Sequence, residues 1–192
     1  MPTGDGATAD GKCYCLLDVL LERIVNLLMI SGDRSILEGK KGAFWYLLEE
    51  FSQYWDRIDV ICPKVKEITV GMDVIDGLFD TVHFHPCPRG LWYQPRWIAK
   101  IGEALAASHK HAVMSVHEYP PFYNGLGAEW LSRRVKIPYA LEVHHIVGYP
   151  HASSLAEWLG RILSHLFLVN DSYGAKAVRC VNGEVASTMI RW

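Results

Sequence analysis

The feature that most constrains this chain is a succession of short apolar, β-favouring runs, each closed by polar or turn residues and each separated from the next by helical hydrophobic spacing. The runs fall at residues 26–31, 58–61, 81–85, 112–116, 139–143 and 166–169. Between them, Phe44, Leu47, Leu48, Phe51 and Trp55 mark one face of a helix over 43–55. Further helices are predicted over 98–108, 125–134 and 155–163. Strands that alternate with amphipathic helices form βαβ units, whose crossovers are nearly always right-handed. The expected fold is therefore α/β, a Rossmann-like, doubly wound, mainly parallel sheet flanked by helices in a single domain.

Composition narrows the class of protein. Half of the 192 residues are apolar, which is enough for one sizeable core. The net charge is -2 and the basic residues are scattered, which argues against a nucleic-acid partner. Five cysteines, Cys13, Cys15, Cys62, Cys87 and Cys180, form an odd set without C-x-x-C spacing. That pattern suits reduced, buried thiols and a cytoplasmic location. The most apolar stretch, 13–30, is broken by Asp18, Glu22, Arg23 and Asn26, so it falls short of the roughly 20 uncharged residues that a membrane span requires. No basic leader followed by a cleavage site is visible. Residues 1–24 are expected to be a Gly- and Ala-rich tail followed by a short helix carrying Leu17, Leu20, Leu21 and Ile24, ahead of a folded unit over 25–181.

Two strand ends carry the chemistry. Val113-Met114-Ser115-Val116 runs into His117-Glu118-Tyr119-Pro120-Pro121, and Tyr139-Ala140-Leu141-Glu142-Val143 runs into His144-His145. In an open parallel sheet ligands bind beyond the carboxyl ends of the strands, so these side chains are placed to face a site. An imidazole with a reference pKa of about 6.5 takes or gives a proton at neutral pH. His144 is the candidate catalytic residue, with Glu142 two residues back on the same side of the strand. His117, Glu118, Tyr119 and Asn124, in a loop stiffened by Pro120 and Pro121, suit stacking on and hydrogen bonding to a polar ligand such as a sugar. The competing reading of either histidine is a hydrogen-bonded structural residue at a strand end.

The turn Glu38-Gly39-Lys40-Lys41-Gly42 precedes the first long helix, where backbone N–H groups attract anions and glycine permits close approach. It matches neither G-x-G-x-x-G nor the P-loop pattern. A solvated basic turn is the competing reading. His83, His85 and Cys87 invite a metal reading, but no H-E-x-x-H is present and prolines stiffen the chain around Cys87, so no metal and no cofactor is expected. Trp45, Trp55, Trp130 and Trp158 lie at core spacing on predicted helices and read as packing residues. The Gly90-Leu91-Trp92-Tyr93-Gln94-Pro95-Arg96-Trp97 cluster reads as a buried loop anchor, with an acceptor or membrane-surface contact as the alternative.

Taken in order, the Lys-Gly turn and aromatic-rich helix, Val116-His117-Glu118-Tyr119-Pro120-Pro121, Leu141-Glu142-Val143-His144-His145, and Asn170-Asp171-Ser172 with Lys176 resemble the N-terminal, acceptor-side lobe of family 4 glycosyltransferases of the GT-B fold. The resemblance implies transfer of a sugar, with retention, from a nucleotide-sugar donor to a glycan or lipid-linked acceptor, with peripheral contact at the inner membrane face. It implies that Gly42, and less closely Gly39, lie near the donor diphosphate, that His144 lies beside the transferred sugar, and that His117 and Glu118 belong to an acceptor loop. It also implies a second, C-terminal lobe for the rest of the nucleotide, with residues 182–192 a tail or the start of the interlobe connection. The alternative is a non-catalytic sugar-binding or partner-docking module.

Overall fold

The computed structural model describes residues 25–66, 80–118, 123–144, 154–180 and 182–190. The predicted N-terminal tail and helix, Tyr119 to Pro121, His145 and His151 lie outside the described residues. Six strands, β1 (Asn26–Ile30), β2 (Arg57–Cys62), β3 (Val82–Pro86), β4 (His111–Glu118), β5 (Tyr139–Val143) and β6 (Ala177–Cys180), form one sheet in the order β3-β2-β1-β4-β5-β6. Every neighbouring pair is parallel. The helices are α1 (Ala43–Phe51), α2 (Gln94–His109), α3 (Tyr123–Val135), α4 (Leu155–Gly174) and α5 (Gly183–Ile190). This is the expected doubly wound α/β sheet, and the order inverts at β1, which pairs with both β2 and β4.

Side-chain alternation along the strands sorts the core into two layers. Leu27 and Met29 join Ile58, Val60, Val82 and Phe84 under Phe44 and Leu48 of α1. Leu28 and Ile30 join Met114, Val116, Leu141 and Val143 under α2, α3 and α4, which contribute Ile98, Leu105, Leu131 and Leu168. β1 is buried along its whole length because both layers cover it. α2 and α3 each end on a lysine in the left-handed region, Lys110 (φ 50°) and Lys136 (φ 60°). Both lysine N–H groups close the last turn by donating to Ala106 and Ser132 carbonyls.

The sixth strand lies elsewhere than expected. Leu166–Val169 belongs to α4, a single 20-residue helix, and the strand is Ala177–Cys180. A four-residue apolar run does not distinguish a strand from a helix segment. Here Leu168 is buried while Leu166 is exposed, as one side of a helix requires. Asn170-Asp171-Ser172 therefore sits in the last turns of α4 and not at a strand end. The tryptophans divide as well. Trp45 and Trp55 pack on the core, whereas Trp130 and Trp158 are exposed, the latter beside Leu155, Leu159 and Leu163 on the outer side of α4. In the aromatic turn Trp97 donates its indole N–H to the His85 carbonyl, while Leu91 and Trp92 are exposed. No helix among the described residues is long and apolar enough to cross a membrane.

Candidate functional site

The connection after β1 leads to α1 on one face, and the connection after β4 leads to α3 on the other, so a crevice opens beyond the carboxyl ends of these adjacent strands. On the β1 side the chain turns through Ser31, whose N–H extends the ladder to the Ile61 carbonyl and whose hydroxyl accepts the Asp33 N–H. Asp33 in turn accepts the Ser35 N–H at 2.7 Å. Gly39 closes the following turn in the left-handed region, at φ 77°. Gly42 is the N-cap of α1, extended, with no side-chain cap and no acidic residue in the first turn. A Cβ added at Gly42 would come no nearer than 4.0 Å to another atom, the Ser35 hydroxyl, so packing within the chain does not demand glycine there. The two lysines are engaged locally: Lys40 pairs with Glu38 at 3.0 Å, and the Lys41 ammonium lies 4.9 Å from the Trp45 ring centre.

Across the crevice, β4 and β5 bring two imidazoles together. His117 is 6% exposed, with its ring edge-on to Phe44 of α1 at 6.0 Å. Its ring centre lies 5.3 Å from that of His144. His117 Nε2 makes no hydrogen bond with the described residues. Burial pushes the His117 pKa down, opposed by the Glu142 carboxylate and reinforced by His144 and Arg179. His144 follows β5, its N–H donating to the Glu118 carbonyl, and its Nε2 lies 3.9 Å from Glu142. The same Glu142 oxygen lies 3.4 Å from Arg179 of β6.

The structure thus brings His117 and His144 together and sets Phe44, two residues after Gly42, beside His117, with Gly39 shaping the turn that precedes α1. It does not bring Glu118 and Asn124 there. Consecutive strand residues point to opposite faces, so His117 and Glu118 cannot act as one group. Glu118 is fully buried on the α3 face, where its carboxylate accepts the Gly125 N–H, and the Asn124 amide donates to the His117 carbonyl. Both residues tie β4 to the start of α3. Tyr119 lies outside the described residues.

Sequence reasoning missed Phe44, Asp33 and Arg179 as neighbours of the histidines, because their approach depends on the strand order. It also missed a buried charge cluster that links β2, β3 and β4. Asp59 on β2 accepts two hydrogen bonds from Arg57 and one each from His85 and His111, at 2.7 to 2.9 Å. An aspartate inside Ile58-Asp59-Val60-Ile61 was the signal that could have found it. His85 is thereby committed to Asp59, and among the described residues no three His, Cys, Asp or Glu side chains are placed to hold a metal. Cys62, Cys87 and Cys180 are free thiols.

No protein-family model and no curated protein matches the sequence. Solved structures do match in fold. A UDP-N-acetylglucosamine 2-epimerase is 14% identical over 88% of this chain and 45% of its own, with a TM-score of 0.54. A Listeria monocytogenes protein described as the same enzyme is 11% identical over 88% and 42%, with a TM-score of 0.53. UDP-GlcNAc 2-epimerase from Methanocaldococcus jannaschii is 12% identical over 87% and 42%, with a TM-score of 0.50. The chain therefore spans less than half the length of each. At such identities the likeness carries the fold alone: this chain shares the Rossmann-like α/β architecture of those structures.

Proposed function

We propose that this chain is the N-terminal lobe of an enzyme acting on a nucleotide sugar, and that the reaction is retaining glycosyl transfer to a glycan or lipid-linked acceptor. The observation that carries the reading is the His117–His144 pair, with Phe44 from the uncapped first turn of α1 beside it, at the switch point of the sheet. Helix-end N–H groups and the helix dipole favour a diphosphate at Gly42, where the bare Cα leaves room for it. His144, partly exposed at the mouth, is the group placed to exchange a proton with or hold an oxygen of the sugar. His117 lines the wall beneath it. The catalytic unit is completed by a second lobe, in line with the longer chains that share the fold.

A second reading, epimerisation of the nucleotide sugar, is favoured by the names of those structural neighbours. Both readings require a nucleotide diphosphate at α1. Titrating UDP and UDP-N-acetylglucosamine into the ¹⁵N-labelled protein is expected to shift the amides of Ala43 and Phe44 and the imidazoles of His117 and His144. Replacing Gly42 by valine should abolish the shifts with the fold intact. An unchanged spectrum at millimolar ligand would reject both readings. In the two-lobe enzyme, release of UDP with a new glycoside identifies transfer, and a C2-inverted sugar identifies epimerisation. His144→Ala should lower either by about a hundredfold or more, as for loss of a general acid or base.

A further inference from the structure

We infer that Glu142 is a positioning residue for the crevice, directing to His144 the single proton that two imidazoles this close can share. Their ring centres lie 5.3 Å apart with an interplanar angle of 32°, so protonating both would set two cations side by side in a largely buried site. Glu142 pairs with His117 in the β4–β5 register and lies on the same face of the sheet, but its Oε2 is 3.9 Å from His144 Nε2. The carboxylate side chain is only 13% exposed, which limits screening of its charge.

Among the described residues, charged groups approach the pair from three elements. Glu142 approaches on β5, Arg179 on β6 at 3.4 Å from the same Glu142 oxygen, and Asp33 acts from the loop after β1. α1 brings the Phe44 ring edge-on to His117. His117 therefore loses hydration, a loss that Glu142 and Asp33 offset only in part, whereas His144 is partly exposed and has its Nε2 3.9 Å from the carboxylate. The consequence is a division of roles: the shared proton goes to His144, and His117 stays a neutral imidazole whose Nε2 is buried. Arg179 moderates the effect by competing for Glu142.

The meaning of this division rests on the proposed nucleotide-sugar site, but its test needs no ligand. Imidazole ¹⁵N shifts, assigned through His117→Gln and His144→Gln, are followed from pH 5 to 9. In the parent protein His144 should protonate at higher pH than His117. Glu142→Gln should lower the His144 midpoint by about one pH unit, as for loss of an opposite charge within 4–6 Å, and Glu142→Asp should restore part of it. Arg179→Gln, at an exposed position that does not threaten the fold, should move the His144 midpoint upward. A common midpoint for both histidines, or midpoints unmoved by Glu142→Gln and by Arg179→Gln, would overturn the inference. If the midpoints behave as stated while UDP ligands leave the spectrum unchanged, the positioning role stands and the nucleotide-sugar reading fails.

Discussion

Asp59 shows how one buried charge can link several strands of a sheet. An ionised carboxylate only accepts hydrogen bonds, so the contacts at 2.7 and 2.8 Å require both His85 and His111 to present Nε2–H. Burial works against the charge, but the hydrogen bonds from His111, His85 and Arg57 outweigh it and hold the carboxyl well below the usual carboxylate range. A depressed carboxyl contributes stability above its unfolded pKa of about 3.9, and loses it as pH falls below that value. Asp59→Asn should therefore cost about 3 kcal/mol at pH 7, the low end for breaking a buried ion pair, because Arg57 can turn to solvent. Urea unfolding checks it: the variant should also lose the steep decline in stability below pH 4, and a cost under 1 kcal/mol would show that the cluster is not stabilising. At this scale the sequence was legible where a side chain's direction follows from strand parity, as for His144 after Val143. By the same parity Glu118 faces α3, opposite to His117. Arg179 was not legible at all, since nothing local says that β6 lies beside β5.

At the scale of elements, the tightest constraint is the crossing of α2 and α3, where two glycines let the helices approach. A Cβ on Gly127 would lie 2.8 Å from Ile98 Cβ and 3.0 Å from the Pro95 Cα, atoms that cannot move without the backbone. A Cβ on Gly102 would meet only Leu131, nearest at the Cδ2 methyl, the end of a side chain that can rotate. Alanine within a helix gains about 1 kcal/mol over glycine. Gly127→Ala should therefore destabilise by a net 1–3 kcal/mol through overpacking, while Gly102→Ala stays within about 1 kcal/mol of the parent. Thermal midpoints of the two variants make the comparison, and equal effects would contradict this account of the crossing. Element reading from sequence succeeded where two signals agreed: Pro138 and the alternation of Tyr139, Leu141 and Val143 gave β5 its ends. It failed at α4 and β6, where the longest helix was cut short at Leu163. The strand Ala-Val-Arg-Cys, an exposed edge with one charge, carries almost no hydrophobic signal.

For the whole molecule, Asp59 and Asp171 set opposite limits on stability. Asp171, in the last turns of α4, is fully buried, and burial pushes its carboxyl up to about 8, with the Asn170 amide opposing and Glu129 reinforcing the shift. Its Oδ2 and the Glu118 Oε2 both face the space over Gly125, where a Cβ would meet them at 2.4 and 2.8 Å. Three acidic side chains from β4, α3 and α4 thus meet at the seam that docks α4, and the proton on Asp171 relieves their repulsion. The folded chain holds this proton between about pH 4 and about 8, whereas the unfolded chain releases it, so stability falls as pH rises through that window. The slope is about 1.4 kcal/mol per pH unit. Below pH 4 the Asp59 cluster fails instead, so these two groups place maximal stability on the acidic side of neutrality. Asp171→Asn keeps the shape and supplies a neutral donor, and should remove the alkaline decline. Calorimetry at pH 5, 6, 7 and 8 is expected to show the variant gaining on the parent at each step, and a constant difference would mean that Asp171 is ionised in the folded chain. The loss reaches the crevice too, because Glu118 anchors α3 to β4 one residue beyond His117. Loosening that seam above pH 8 should therefore weaken the proposed UDP binding in the parent while sparing Asp171→Asn.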